Sequence, residues 1–506
     1  MARQSLAARA ALALVLMLGF YVLALGVAAG LLYLPYAEWR YADRLDLRLV
    51  VFTLAGGLGI LGAIIPRVDR FPEPGPLLTP QSHPRLFSAI AEVAQLTHQA
   101  MPAQVFLVPD VNAWVAQRGG IMGFGGRRVM GLGLALMRVL SVAELRAVLA
   151  HEFGHFDAGD TALGPWLYKT RVAIGRTLDS LNETASLLSR PFVWYGKAFV
   201  RLTHAVSRQQ EFAADNLAAR TTGATALRQG LEKIHRTSPA FAAYWNGDVM
   251  PLLDTGFRAP LAEGFSRFLA APAIAEQVDT LLAQELAEGK SDPYDTHPSL
   301  KDRLAALAGL PEVPSEPGER AALSLLTDVD AVESALLGFL FPRKRRPDYA
   351  STAWDDTAMS VWLPYWGAIV SRNREHLAGL TPEESLKLLP VPGALAVRFG
   401  LAATPEAASQ RQIGEERFLL LCALSLALQD AGWSLRMLPG EGVVLVRGED
   451  AFRPAQFLGI VATGGLTLDA ALAAVSETGV AGRDFGTLGE PALAPSVTQG
   501  VLRSAP

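Results

Sequence analysis

The chain opens on two apolar runs. Ala10 to Ala37 is 28 residues without a charge, preceded by Arg3 and Arg9. Leu49 to Pro66 is a second uncharged run of 18, rich in glycine and bounded by Arg48 and Arg67. About 20 apolar residues cross a bilayer as a helix, so the pattern predicts a transmembrane hairpin over about 10–37 and 49–66. The first run is too long for the core of a signal peptide and ends without a small-residue cleavage signature. Tyr33, Pro35 and Tyr36 supply an interfacial belt. The short loop mixes Arg40, Arg44 and Arg48 with Glu38, Asp43 and Asp46, so its charge says little about orientation. Two spans put both chain ends on one side.

The pattern then becomes that of a globular chain. Residues 71–82 read as a linker, stiffened by Pro72, Pro74 and Pro76. His83 to Gln99 reads as a helix and Ala103 to Val108 as a strand. The glycine-rich stretch Gly119 to Gly133 lacks the lysine-serine ending of a phosphate loop and reads as hairpin turns. From Leu145 the spacing is helical: Leu145, Leu149, Phe153 and Phe156 face a core while His151, Glu152 and His155 face a cleft. Ser207 to Asp215 belongs to another helix, ending near Gly223. Between these helices, Lys169, Arg171, Arg176, Asp179, Glu183 and Arg190 interrupt the apolar residues. Pro191 to Gly196 is apolar but is followed by Lys197 and Arg201. Residues 161–207 are therefore expected to form soluble or interfacial helices that roof the cleft. A helix with Pro298 in its first turn uses Leu304, Leu307 and Leu310 as its apolar face, with Asp302 and Arg303 beside it. Beyond a linker at Pro311 to Gly318, helices are expected at Asp328–Phe341 and Glu415–Asp430. Strands follow at Ser434–Leu438 and Gly442–Arg447 around Pro439-Gly440. Thr357 to Ser371 is uncharged and aromatic but too short for a span.

Three groups carry candidate chemistry. His151-Glu152-Phe153-Gly154-His155 reads H-E-x-x-H. On a helix its two imidazoles point from one face at one metal ion, and the glutamate beside them can take a proton from a water. Ser141-Val142-Ala143-Glu144 is a capping box that starts this helix. A catalytic zinc site takes three protein ligands, and Glu211 with Asp215, four residues apart, are the candidates on a second helix. The pair makes sense if Glu211 binds the metal and Asp215 accepts the outer N–H of a metal-bound histidine. His297 is the third group. It could donate to the oxyanion of the tetrahedral intermediate, occupy the open metal position, or cap its helix.

These elements resemble the HtpX and CAAX-prenyl-protease family of membrane zinc metallopeptidases. The matching segments are Asn112 to Val115 (NAWV), Leu145 to Phe156 (LRAVLAHEFGHF), Arg208 to Ala219 (RQQEFAADNLAA) and Thr296 to Leu307 (THPSLKDRLAAL), in the family's order. The resemblance implies one zinc ion per chain on His151, His155 and Glu211, with Glu152 as general base. It implies a helical gluzincin-type core whose small β-sheet receives the substrate along an edge strand at Asn112, Ala113 and Trp114. The family's segment there has phenylalanine where this chain has Trp114.

Composition fits an anchored enzyme. The 506 residues are 50% hydrophobic and 19% charged. A net charge of −4 offers no basic excess for phosphates and argues against a nucleic-acid partner. The single cysteine, Cys422, excludes an intrachain disulfide and reads as a small buried hydrophobe. Arg343 to Arg346 could meet anionic lipid head groups, and the chain from Pro491 reads as a loose tail. The expected fold class is α+β, mainly helical. A membrane anchor (1–70) and linker (71–82) precede a zinc metallopeptidase domain (83–310). A second linker (311–330) leads to a C-terminal α+β region (331–506) with no assigned role. The expected function is a membrane-anchored zinc endopeptidase acting on protein or peptide substrates. The family places such an enzyme in quality control at a bacterial inner membrane, with the catalytic domain on the cytoplasmic side. The alternative is a membrane-tethered scaffold or binding protein with a latent site. Oligomeric state is not legible.

Overall fold

A computed structural model describes residues 6–65, 71–119, 125–156, 170, 172–179, 186–289, 297–313, 320–342 and 349–488. The basic cluster Arg343 to Arg346, the glycines at 120–124, Thr296 and the tail from Pro491 lie outside the described residues. The chain forms two compact units, Met1–Ser238 with Asp279–Leu340, and Pro239–Val278 with Phe341–Pro506.

In the first unit, α1 (Leu6–Ala42) and α2 (Leu47–Ile64) are both long and apolar enough to cross a membrane. Asp43 turns the chain with φ 47°. Asp46 caps α2 by accepting the Arg48 N–H at 2.8 Å. The helices meet closely because Gly57 has no side chain: a Cβ there would sit 2.8 Å from the Leu32 side chain, the small-residue packing that membranes favour. Val15, Leu18, Val22 and Leu25 stay exposed on the outer face, as lipid-facing residues would.

The proline-rich segment read as a stiff linker lies against a sheet. Phe71 packs edge-on against Phe106 and Trp114. Leu77–Leu78 form β1, antiparallel to β2 (Gln104–Val108). β2 is parallel to β4 (Arg127–Gly133), which pairs antiparallel with β3 (Ala113–Arg118). The order β1-β2-β4-β3 leaves β3 at an edge. The β3–β4 connection is a hairpin, with Gly119 and Gly125 at φ 83° and 74°.

Helix α3 (Pro84–Leu96) and the short α4 (Leu134–Val139) flank the sheet sequence. α5 (Val142–Gly154) starts at the predicted capping box, with both reciprocal bonds formed. Residues 172–179 are helical (α6). α7 (Ser186–Thr222) runs for 37 residues and stops where Gly223 takes φ 100°. α8 (Ala224–Tyr244) follows directly. Residues 172–179 and the first half of α7 do not roof the cleft as expected. They pack on the anchor, where Ile174, Phe192 and Phe199 bury with Phe20 and Ala24 of α1. The Tyr195 hydroxyl donates to the Leu16 carbonyl of α1. The apolar stripe of these segments is covered by α1.

In the second unit Gln410–Asp430 is a helix with a capping box at Ser409. Cys422 is fully buried on it. Strands Ser434–Leu438 and Gly442–Arg447 pair antiparallel as expected, and Asp450–Phe452 adds a third. Thr357 to Ser371 is a π-turn followed by a helix packed inside this unit, with Trp366 1% exposed.

Candidate metal centre

The site is built where α5 meets α7. Gly154 makes the close approach possible: a Cβ there would lie 2.8 Å from the Ala214 Cα. α5 is fixed from its start, because the buried Glu144 carboxylate holds the Ser141 N–H at 2.7 Å and the Lys233 ammonium of α8 at 2.8 Å. Leu145, Leu149 and Phe153 are fully buried as expected. Phe156 is only half-buried and lies under the Arg128 guanidinium at 4.1 Å. It falls past the helix end, so it no longer follows the core face.

The crossing brings the predicted residues together. His151 Nδ1 is 2.8 Å from Asp215 Oδ1, and His151 Nε2 is 3.4 Å from Glu211 Oε2. His155 Nε2 is 3.7 Å from Glu211 Oε1. His297 Nε2, largely exposed, is 3.5 Å from the same oxygen. Ligand atoms of His151, Glu152 and His155 lie within 4.8 Å of one another. Asn112, Ala113 and Trp114 line the same cleft of about 1150 Å³. The Trp114 indole lies over Gly131, its cross-strand partner: a Cβ there would be 2.3 Å from the ring. That glycine accommodates the tryptophan.

Arg303 is the residue the sequence reading left out of the site. Its helix, Leu300–Leu307, is capped by Ser299 and turns Leu300, Arg303 and Leu307 inward, while Leu304 and Leu310 are only half-buried. Nε and Nη2 of Arg303 reach the two Asp215 oxygens at 2.8 and 2.7 Å. Nη1 is 3.7 Å from Glu211 Oε2. The three-and-four spacing between two leucines was the available signal.

The electrostatics follow from this cluster. Burial would raise the Asp215 carboxyl, but hydrogen bonds from Arg303 and His151 bring it down to about 2. Glu211 behaves alike: its burial is outweighed by the nearby His151 imidazole and by the charges of His155 and Arg303, giving about 2. His151 resists its own burial through Asp215 and Glu211 and is raised to about 9. His155 is lowered to about 4 by burial and by the His151 charge. Glu152 is raised to about 7, chiefly by burial.

The donor set fits a metal. Glu211 Oε2 is buried without a hydrogen-bond partner. Its carboxylate faces two imidazole nitrogens at 3.4 and 3.7 Å. These are long for hydrogen bonds but near the roughly 3.3–3.5 Å that separates ligands of one tetrahedral zinc ion. Asp215 takes the Nδ1 side of His151, which turns Nε2 toward the same point.

Two histidines on one helix face, an adjacent carboxylate and a sheet edge in one cleft, together with two helices long and apolar enough to cross a membrane, fit a membrane metallopeptidase. Comparison points the same way: residues 80–310 match the model of peptidase family M48. A protease HtpX homolog of Acaryochloris marina is 26% identical over 234 residues, 41% of this chain and 75% of that protein. Protease HtpX homolog 1 of Streptomyces coelicolor is 26% identical over 312 residues, 58% of this chain and 91% of its own length. A homolog from Moorella thermoacetica is 29% identical over 255 residues, 46% and 74% of the two chains. No solved structure matches the chain.

Proposed function

We propose that the chain is a membrane-anchored zinc endopeptidase with a gluzincin-type centre. His151, His155 and Glu211 would hold the ion. The observation that carries this reading is the buried Glu211 carboxylate, whose Oε2 has no hydrogen-bond partner and whose two oxygens each face one imidazole nitrogen. When bound, zinc supplies Lewis acidity toward the scissile carbonyl and the attacking water. Glu152 takes the proton from that water and passes it to the leaving amine; burial poises its carboxyl near neutrality, which suits both transfers. Asp215 fixes the tautomer and orientation of His151, and Arg303 keeps Asp215 ionised. His297, at the mouth of the cleft, donates to the oxyanion. The free edge of β3 at Asn112 to Trp114 receives the substrate as an added strand. Through its HtpX-like kinship, the enzyme is assigned to membrane protein quality control, as a multi-pass protein of a bacterial inner membrane facing the cytoplasm.

The test is cleavage of an unfolded model protein by the detergent-purified chain, with zinc content assayed. Glu152→Gln is expected to keep zinc and lose cleavage by at least a hundredfold. Retained cleavage overturns the role of Glu152. Absence of cleavage by the zinc-loaded wild type favours a latent site on a tethered scaffold.

A further inference from the structure

The first half of α7 has two unlike faces. Phe192, Gly196 and Phe199 are buried on the side of α1. On the opposite side, Arg190, Trp194, Lys197 and Arg201 fall at i, i+4, i+7 and i+11, which keeps all four on one stripe of the helix. Each of the four is exposed, and Trp194 is 81% exposed. Among the described residues no carboxylate pairs with Arg190 or Lys197. Lys169, Arg171, Arg176 and Arg208 add to the positive charge of residues 165–210, against Asp179 and Glu183 alone. A bare tryptophan among cations is a poor surface in water but the usual one where a membrane meets water. The anchor gives the depth of the stripe. Gly57 of α2 lies against Leu32 and Ala28 of α1. The uncharged run of α2 continues nine residues further, to Pro66, and so ends level with about Leu23 of the antiparallel α1. The uncharged run of α1 starts at Ala10. The membrane surface on this side therefore falls between the levels of Ala10 and Leu23. Tyr195 donates to the Leu16 carbonyl and packs over Gly19, in the middle of that interval. Phe192 meets Phe20, so α7 runs opposite to α1 and heads outward from there. Arg190 is the deepest of the four, within reach of the surface along its own side chain. Lys197 and Arg201 lie further out, toward the end of α1 that carries Arg3 and Arg9.

We propose that the stripe of Arg190, Trp194, Lys197 and Arg201 on α7 binds the head group of an anionic phospholipid. The inference rests on the membrane anchoring read from α1 and α2, and not on the metal centre. The occupant follows from charge and from continuity with the anchor. Three cations along about 16 Å of helix face the layer where the phosphates lie, and the Trp194 ring lies beside them at the level of the glycerol backbone. An anionic lipid brings a phosphate without a cation of its own. A zwitterionic lipid brings the same phosphate with an ammonium that the stripe would repel. Each cation near such a surface favours the anionic lipid by about fivefold. The position of the stripe gives it a consequence for the site. Arg201 precedes Glu211 by ten residues of the same helix, so a lipid held there holds the helix that carries Glu211 at one depth.

The experiment reconstitutes the full-length chain into lipid discs of equal phosphatidylcholine and phosphatidylglycerol. The lipids it keeps on transfer to mild detergent are then counted by native mass spectrometry. Wild type is expected to keep phosphatidylglycerol in clear excess over phosphatidylcholine. Arg190→Gln with Lys197→Gln should lower that ratio by about fivefold for each charge removed, and Lys197→Arg should preserve it. High salt should lower the wild-type ratio toward that of the double variant. Arg411→Gln with Arg453→Gln removes the same charge from the exposed surface of the second unit and should leave the ratio unchanged. Tm is followed throughout, so that a loss of fold is seen as such. A wild-type ratio near one overturns the stripe, and so does a ratio that the double variant leaves unchanged. An equal fall in the Arg411 and Arg453 control overturns it in favour of net charge. Displacement of the lipid by inorganic phosphate overturns it in favour of a site for free phosphate. A chain that does not enter discs of phosphatidylcholine alone overturns the anchor as well, whereas one that enters them without favouring phosphatidylglycerol overturns the stripe and leaves the anchored peptidase standing.

Discussion

Replacing Arg303 probes the deepest part of the site. Its side chain is 6% exposed and Asp215 1%, and two hydrogen bonds of 2.7 and 2.8 Å join them. The Asp215 carboxyl stands at about 2, below the ordinary value near 3.8. That interval corresponds to roughly 2–3 kcal/mol of stability from the ionised form. The contribution is complete above about pH 4 and is lost as pH falls through about 2. Arg303→Met keeps the length of the side chain but leaves the carboxylate with His151 alone. Breaking a buried pair from one side costs about 3–5 kcal/mol, so the Tm should drop on the order of 10 °C at pH 7. The gap to wild type should narrow in acid, because the wild type loses this contribution as Asp215 protonates and the variant has less of it to lose. Zinc affinity should fall about tenfold, as when an outer partner of a ligand histidine is loosened. The assay is thermal unfolding of the chelated full-length chain in detergent from pH 4 to 8, with zinc competition at pH 7. Removing both charges, in Arg303→Met with Asp215→Leu, should restore most of the Tm but not the zinc affinity. An Arg303→Met chain that melts within 2 °C of wild type at both ends of the range would refute the pairing.

Gly154→Ala should cost about 1–3 kcal/mol and weaken zinc binding, because its Cβ meets the Ala214 backbone at 2.8 Å; unchanged Tm and metal titration would contradict this. Gly131→Ala drives a Cβ into the Trp114 indole, so peptide cleavage should fall at unchanged zinc, and adding Trp114→Ala should recover part of it. In the second unit, burial raises the Asp248 carboxyl to about 6 against its ordinary 3.8, only partly offset by the Gly440 N–H. Folding therefore prefers the protonated acid, and its penalty grows as pH rises from about 4 to 6. Asp248→Asn should be more stable than wild type above pH 6, by at most roughly 3 kcal/mol and less where solvent screens the group. The two should converge below pH 4, and parallel stability curves would show the group to be solvated.

The sequence disclosed what repeats locally. The capping box at Ser141 and the two apolar runs each depend on neighbours within a few residues, and both formed where expected. The strands Ser434–Leu438 and Gly442–Arg447 also announced themselves, through alternation around a turn. The histidine motif and the Glu211–Asp215 pair were legible as chemistry because their spacing matches one helix face. Arg303 was not, since an arginine among leucines on an eight-residue helix reads as solvated until a buried carboxylate is known to sit opposite. Val148, Leu227, Leu231 and Ile234 were illegible as cleft lining for the same reason: each looks like ordinary core, and only the fold brings them to one cleft. The packing of residues 172–179 and the start of α7 on α1 was not legible, because charges interrupt their apolar stripe and the helix that covers it is distant in sequence.

That last difference changes what the anchor is. α7 carries Phe192 and Phe199 against α1 at one end and Glu211 and Asp215 at the other, on one helix of 37 residues. From Tyr195 to Glu211 is 16 residues, or about 24 Å of rise. A continuous helix transmits position over that distance far better than a flexible linker does. Glu211, the proposed metal ligand on α7, is therefore referenced to α1 directly, through the Tyr195–Leu16 hydrogen bond and the aromatic packing around Phe20. Cutting the chain after residue 70 would leave Phe192, Phe199 and Ile174 uncovered on the same helical segment that sets Glu211. The hairpin is thus part of the packing that holds the catalytic helix, and a soluble version of the domain would need that apolar stripe replaced before it could be expected to keep the metal site in place.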